Sequence, residues 1–225
     1  TDVIRRSVDE TAATKLDDLE IFEEIASTNS YLMQAPVPAP GQIRVAATDN
    51  QTAGRGRHGR TWQSPPGSGL CLSMAYTFTE RPANLPALTL AMGLGAVETM
   101  QALSITGIQL KWPNDLVFMD GKLGGILTET QAQAGESVPV VTGIGLNSDL
   151  GERVDFRMET DAPLPVVDLQ RHVAELPDRN RIAATLVSEM TQTFIDYEAG
   201  GFGVFAQRWA EHDWLLGREL IVDLA

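Results

Sequence analysis

Residues 54–67 read GRGRHGRTWQSPPG and set Arg55, Arg57 and Arg60 among four glycines. From Asn50 to Thr79 there is no Asp or Glu, although the chain's formal charge is −13. In so acidic a protein this window is a local positive patch. Glycine lets backbone N–H groups approach an anion and adopts left-handed conformations freely. Arginine adds a planar fork that matches phosphate or carboxylate. One reading is a phosphate-handling loop, flexible when empty and ordered around an anion. A solvated surface loop is a second. A nucleic-acid contact of the Arg–Gly type is a third, weakened by the lack of repetition and of any nearby aromatic except Trp62.

A second constellation lies downstream. KWPNDL (111–116) puts Asn114 and Asp115 at a strand end, a position suited to function. Lys122 follows in GKLGGIL, where Gly124 and Gly125 leave room for a ligand or another backbone. A lysine beside a glycine wall reads as a fixed cation aimed at a bound anion. Equally, it reads as a surface lysine on a hairpin turn, and Asp115 as a turn residue. Familiar phosphate loops are absent: GKL lacks the upstream glycine and following Ser/Thr of a P-loop, and GIGLNS (143–148) lacks the last glycine of a dinucleotide fingerprint. His58, His172 and His212 are too scattered for a metal site. No nucleophile elbow or Cys–His arrangement is present.

These side chains need a scaffold. Strands are expected at 19–26, 42–48, 69–78, 108–112 and 139–147, with a hairpin over 116–130 turning at Asp120-Gly121. Ser27 or Thr28 is placed to cap a short helix through Met33, and Asn84 to cap one running to about Leu103. An amphipathic helix is expected over 181–201, ending at a glycine pair, with another helix just after it. Residues 1–18 read as a loose lead-in or a helix, and 148–180 as loop-rich. The pattern predicts an α+β fold, a mixed, largely antiparallel β-sheet covered by helices.

At 225 residues and 43% apolar, the chain can build one large core. The acidic charge disfavours nucleic-acid and anionic-membrane binding. The lone Cys71 excludes an internal disulfide and suits a reducing compartment. The start lacks a signal-peptide core, and the longest uncharged apolar stretch, 82–97, is shorter than a spanning helix needs. A soluble, cytoplasmic protein is expected, with no membrane or nucleic-acid partner.

Taken jointly, STN (27–29), the stretch from Gln51 through the arginine–glycine loop, KWPNDL, GKLGGILTE (121–129) and GIGLN (143–147) resemble the biotin protein ligases in order and spacing. That resemblance implies a biotin/lipoate-ligase-like catalytic domain over 1–216 and the beginning of a C-terminal SH3-like domain at 217–225. It implies an enzyme that joins biotin's carboxylate to the α-phosphate of ATP, with Mg²⁺ arriving on the nucleotide. The acyl group then passes to a lysine of a biotin carboxyl carrier domain. It places Ser27, Thr28, Asn29 and Gln51 around biotin, and Gly54, Arg55, Gly56 and Arg57 in the closing loop. Trp62 becomes a wall of the ligand, and Lys122, flanked by Gly124 and Gly125, sits between carboxylate and phosphate. Asn147 is put against the nucleotide. Arg57, Lys122 and Asp115 become the catalytic set, with Asp115 orienting Lys122 or receiving a proton. No dedicated protein metal site is expected.

The residues before the first strand are too few for the DNA-binding domain some bacterial relatives carry, so a ligase without repressor function is expected. GRELIVDLA resembles the first strand of the SH3-like domain, and the sequence then stops; either it is cut there or that domain is absent. An exposed sheet edge could mediate a homodimer. Two alternatives remain: a lipoate ligase or octanoyl transferase of the same fold, and a non-catalytic binder of biotin or its adenylate.

Overall fold

A computed structural model describes residues 1–131, 136–151 and 164–219. Its frame is set by two long strands, β3 (Gly69–Phe78) and β7 (Val138–Asn147), paired antiparallel with Ser73 opposite Gly143. Side chains on a strand alternate between faces. In β3 the even positions are large (Leu70, Leu72, Met74, Tyr76, Phe78) and the odd ones small (Gly69, Cys71, Ser73, Ala75, Thr77). β7 repeats the pattern, with Gly143 and Gly145 at odd positions and Ile144 and Leu146 at even ones. One face therefore builds a core, and the other leaves space.

Around this pair the sheet has seven strands in the order β1-β2-β3-β7-β6-β5-β4. These are β1 (Leu16–Ile21), β2 (Ile43–Thr48), β4 (Gln109–Lys111), β5 (Asp115–Phe118) and β6 (Gly121–Thr130). Only β1 and β2 run parallel; the other neighbours are antiparallel, as the sequence predicts. The outer edge of β4 is covered by the segment after the last helix. There Leu110 N–H donates to the His212 carbonyl, and Trp214 N–H donates to that of Leu110.

Helices α4 (Leu88–Ala102) and α5 (Arg179–Gly200) cover the large-residue face. Ile182, Leu186, Met190, Phe194 and Tyr197 recur at three- and four-residue spacing along α5 and are fully buried. Phe194 stacks on Tyr76 of β3 with centroids 4.7 Å apart. The lead-in folds as two short helices, α1 (Asp2–Ser7) and α2 (Glu10–Lys15), with Ile4 and Ala12 buried in the same core. On the opposite face lies α3 (Thr28–Gln34), where Leu32 meets Ala46, Ala75 and Val141. The short α6 (Ala206–Glu211) completes the fold.

Several expected boundaries shift. β1 ends at Ile21 rather than 26: Phe22 N–H still donates to the Ala47 carbonyl while its ring packs edge-on against Tyr31 of α3, and beyond it Ile25 pairs again, with Gln51. Asn84 does not cap α4 with its side chain. A tight turn over Leu85–Ala87 intervenes, and the Asn84 carbonyl accepts from Ala87 N–H and the Tyr197 hydroxyl. The β5–β6 turn is Met119-Asp120, both left-handed, so Gly121 is the first strand residue. Glycine is required at 121 for space, since a Cβ there would fall 2.3 Å from Val167 Cγ1. Residues 220–225, most of the expected SH3-like strand, lie outside the described residues.

Candidate active site

The small-residue face of β3, β6 and β7 floors a cleft of about 240 Å³. Its floor is built by alternation. Ser73 and Cys71 come from β3, Gly143 and Gly145 from β7, and Gly125 and Leu127 from β6. α3 forms one wall. Ser27 caps it, accepting from Ser30 N–H at 3.3 Å, and this turn aims Thr28 and Asn29 inward.

A continuous polar network lines that end. Gln51 Oε1 accepts from Thr28 N–H at 2.8 Å, the Thr28 and Ser73 hydroxyls are 2.7 Å apart, and Ser73 Oγ donates to Asn29 Oδ1 at 2.6 Å. Asn29 Nδ2 then donates to Glu129 Oε2 and the Leu127 carbonyl, both at 3.1 Å. Thr28, Asn29 and Ser73 are all buried. Such fixed, buried hydroxyl and amide groups favour a ligand with matching donors and acceptors.

The arginine–glycine loop covers the cleft as a small hairpin. Trp62 N–H donates to the Gly54 carbonyl, Gly56 N–H to that of Arg60, and Arg55 bridges Thr61. This backbone ladder organises the loop, where the sequence predicts a segment with little to pack. His58 and Gly59 turn the tip in left-handed conformations. Trp62 lies flat over Gly145, where a Cβ would fall 2.4 Å from its indole. Arg57 is half-buried and has no ion pair among the described residues. Arg55 is held differently: both its terminal nitrogens donate to Glu129, at 2.8 and 3.1 Å. The loop itself contains no carboxylate, but the fold supplies one.

At the other end, Lys122 Nζ sits 2.7 Å from Asp115 Oδ1, both side chains less than a fifth exposed. The bulge between Leu116 and Val117 brings these two residues to the same face. The Lys122 backbone is clamped from outside the sheet, donating to the Pro165 carbonyl at 2.7 Å and accepting from Val167 N–H at 3.0 Å. Asn114 secures the turn before Asp115: its Nδ2 donates to the Ile126 carbonyl, and its own carbonyl accepts from Ile126 N–H. The Trp112–Pro113 peptide in this turn is cis.

Ser27, Thr28, Asn29, Gln51, Arg55, Gly56, Arg57, Trp62, Asp115, Lys122 and Gly125 thus share one cleft. Gly54, Gly124 and Asn147 lie outside its lining. A Cβ at Gly54 would strike the Trp62 carbonyl at 2.3 Å, and one at Gly124 the Gly145 carbonyl at 2.6 Å, so both allow close backbone packing. Asn147 Nδ2 donates to the Val167 carbonyl at 3.1 Å and ties β7 to the neighbouring segment. Sequence reasoning missed Ser73, Lys111, Gly143 and Gly145, all on the lining. Three of these stand at odd positions of β3 and β7, where small residues facing large ones was the available signal.

Cys71 also lines the floor. Burial pushes its thiol up to about 11, partly offset by hydrogen bonding with Ser64 and Trp62. At neutral pH it is a protonated packing group. Among the described residues no group of three or more His, Cys, Asp or Glu could hold a metal ion. Nor is any described helix long and apolar enough to cross a membrane.

The fold is thus a mixed sheet with a cleft on its small-residue face, roofed by a cationic loop and flanked by a paired lysine. The chain belongs to the biotin/lipoate A/B protein ligase family, which matches it over residues 21–147. It is 34% identical over 201 residues to the bifunctional ligase/repressor BirA of Escherichia coli K12, covering 88% of this chain and 60% of that protein. Against the biotin–[acetyl-CoA-carboxylase] ligase of Mycobacterium tuberculosis it is 35% identical over 187 residues, covering 80% and 65%. The chain therefore spans about three-fifths of the length of these relatives. A biotin protein ligase variant from Aquifex aeolicus, solved in complex with biotin, superposes with a TM-score of 0.72 at 26% identity, covering 90% of this chain and 81% of the other.

Proposed function

We propose that this domain is an ATP-dependent biotin protein ligase. In the first step a carboxylate oxygen of biotin attacks the α-phosphorus of ATP. The P–O bond to the β-phosphate breaks, and pyrophosphate leaves with that electron pair. In the second step the amine of a carrier lysine attacks the acyl carbon of the mixed anhydride. AMP departs as the anion, and the amine's proton passes to a base. Negative charge builds on phosphate oxygens in both steps, so fixed cations in a closed site act most strongly there.

The observation carrying this reading is the convergence of Lys122 and Arg57 on one cleft whose far end is a buried hydroxyl–amide network. Lys122 would polarise the junction between carboxylate and phosphate, held in place by Asp115. Arg57, having no acidic partner among the described residues, would offer its guanidinium to the phosphate. Trp62 would wall off water, which protects an anhydride from hydrolysis. Mg²⁺ would enter on the nucleotide's phosphates rather than on a protein cage. The acceptor would be the lysine of a biotin carboxyl carrier domain.

The polar network also favours biotin over lipoate. Thr28, Ser73, Asn29 and Gln51 pair with one another, and a ureido ring can exchange hydrogen bonds with them, whereas a dithiolane ring brings no comparable donor or acceptor to that end of the cleft. Biotin-dependent exchange of pyrophosphate into ATP tests the proposal. Exchange with biotin and not with lipoate is expected; the reverse preference would contradict it.

A further inference from the structure

Glu129 has no place in the chemistry above, yet it joins three parts of the site. It lies near the end of β6, opposite Val141 of β7, and its side chain is 21% exposed. Its two oxygens take both terminal nitrogens of Arg55, the two-pronged arrangement that fixes direction as well as distance. Oε2 also accepts from Asn29 Nδ2, and so reaches the network at the floor of the cleft. Arg55 opens the loop hairpin by bridging Thr61, with Arg57 two residues further on. Of the loop's three arginines, Arg55 alone has an acidic partner among the described residues.

We infer that Glu129 is a positioning residue. It anchors the base of the arginine–glycine loop to the sheet, so that Arg57 is carried over the cleft and Asn29 is held for the ligand. The inference rests on the ligase reading for what the loop closes over, though the anchoring itself does not. In this arrangement Arg55 spends its charge on holding the loop, and Arg57 keeps its charge for the bound anion. Because Arg55 is 46% exposed, the pair is screened and its strength is that of a surface ion pair of good geometry. Its loss should loosen the loop locally without unfolding the domain.

The test is tryptic nicking at the Arg57–His58 bond in the full chain without ligands, compared with thermal stability. Glu129→Gln should be nicked about three- to fivefold faster, with its melting temperature unchanged. Arg55→Gln should behave alike, and the double variant should be no faster than either single one, since both remove the same link. If Glu129→Gln fails to fold, Arg55→Gln carries the test alone. Wild-type nicking rates in the single variants, or additive effects in the double, would overturn the inference. In exchange assays the singles should raise the KM for biotin and keep kcat within about twofold; a fall in kcat at unchanged KM would also overturn it. Should the wild-type chain show no biotin-dependent exchange at all, the ligase reading fails while the nicking result still decides the anchor.

Discussion

Lys122 is held from two sides, by Asp115 through its ammonium and by Pro165 and Val167 through its backbone. Such a clamp prepays the cost of placing a cation before the ligand arrives. Lys122→Ala should lower the adenylation rate by about 10²–10³-fold, the usual cost of deleting one fixed stabilising group. Biotin-dependent pyrophosphate release measures this, and a rate within a few-fold of wild type would remove Lys122 from the chemistry. Gly145 is a second test at this scale. A methyl group there meets the Trp62 indole, so Gly145→Ala should push Trp62 off the sheet. The expected cost is about 1–3 kcal/mol of stability, together with weaker biotin binding, read by chemical denaturation and calorimetry.

At the level of strands and loops, neighbouring glycines on β6 divide by role. Gly124 packs against the Gly145 carbonyl, whereas a Cβ at Gly125 would sit at an ordinary 3.7 Å from Lys122 Cε. Gly124→Ala should therefore lower the melting temperature, by about 2–4 °C for each kcal/mol lost. Gly125→Ala should melt like the wild type but bind biotin and ATP poorly, because its methyl group enters the cleft. Calorimetric scans with and without ligand separate the two. The sequence alone could not make this distinction. GKLGG announces a glycine wall, but the register of β6 on β7, which sets Gly125 opposite Gly145, decides which glycine faces the cleft, and pairing register has no local signature here. The same limit applies to Arg55 and Glu129, which are 74 residues apart and meet only through the sheet. By contrast, β3 and β7 match their expected spans almost residue for residue, because their alternation of large and small side chains is the packing itself. The turn at Met119-Asp120 was misplaced by one residue because Asp-Gly is the stronger hairpin signal, while the need for space beside Val167 is a tertiary effect.

Across the whole molecule, the two faces of the sheet do different work. One is sealed by α4 and α5 around an aromatic cluster of Tyr76, Phe78, Phe194, Tyr197 and Phe205; the other is left open for a ligand. The core face makes its own pH prediction. Burial pushes the Tyr197 hydroxyl up to about 12, and it donates to the Asn84 carbonyl. A group with a raised folded pKa gives its full stability below its unfolded pKa of about 10 and loses it as pH rises toward 12. Stability should therefore decline above about pH 10, and Tyr197→Phe should decline less steeply while losing about 1 kcal/mol at neutral pH for the missing hydrogen bond. Urea midpoints between about pH 7 and pH 11 check the sign; identical slopes for the two proteins would contradict it.

The most direct test of the ligase account is the intact mass of a biotin carboxyl carrier domain incubated with this chain, Mg²⁺-ATP and biotin. The account predicts one biotinyl addition to the carrier with the wild-type chain, and sharply slowed addition with Lys122→Ala or Arg57→Ala. An unmodified carrier alongside tight biotin binding would contradict it, as would modification that proceeds at wild-type rates without either cation.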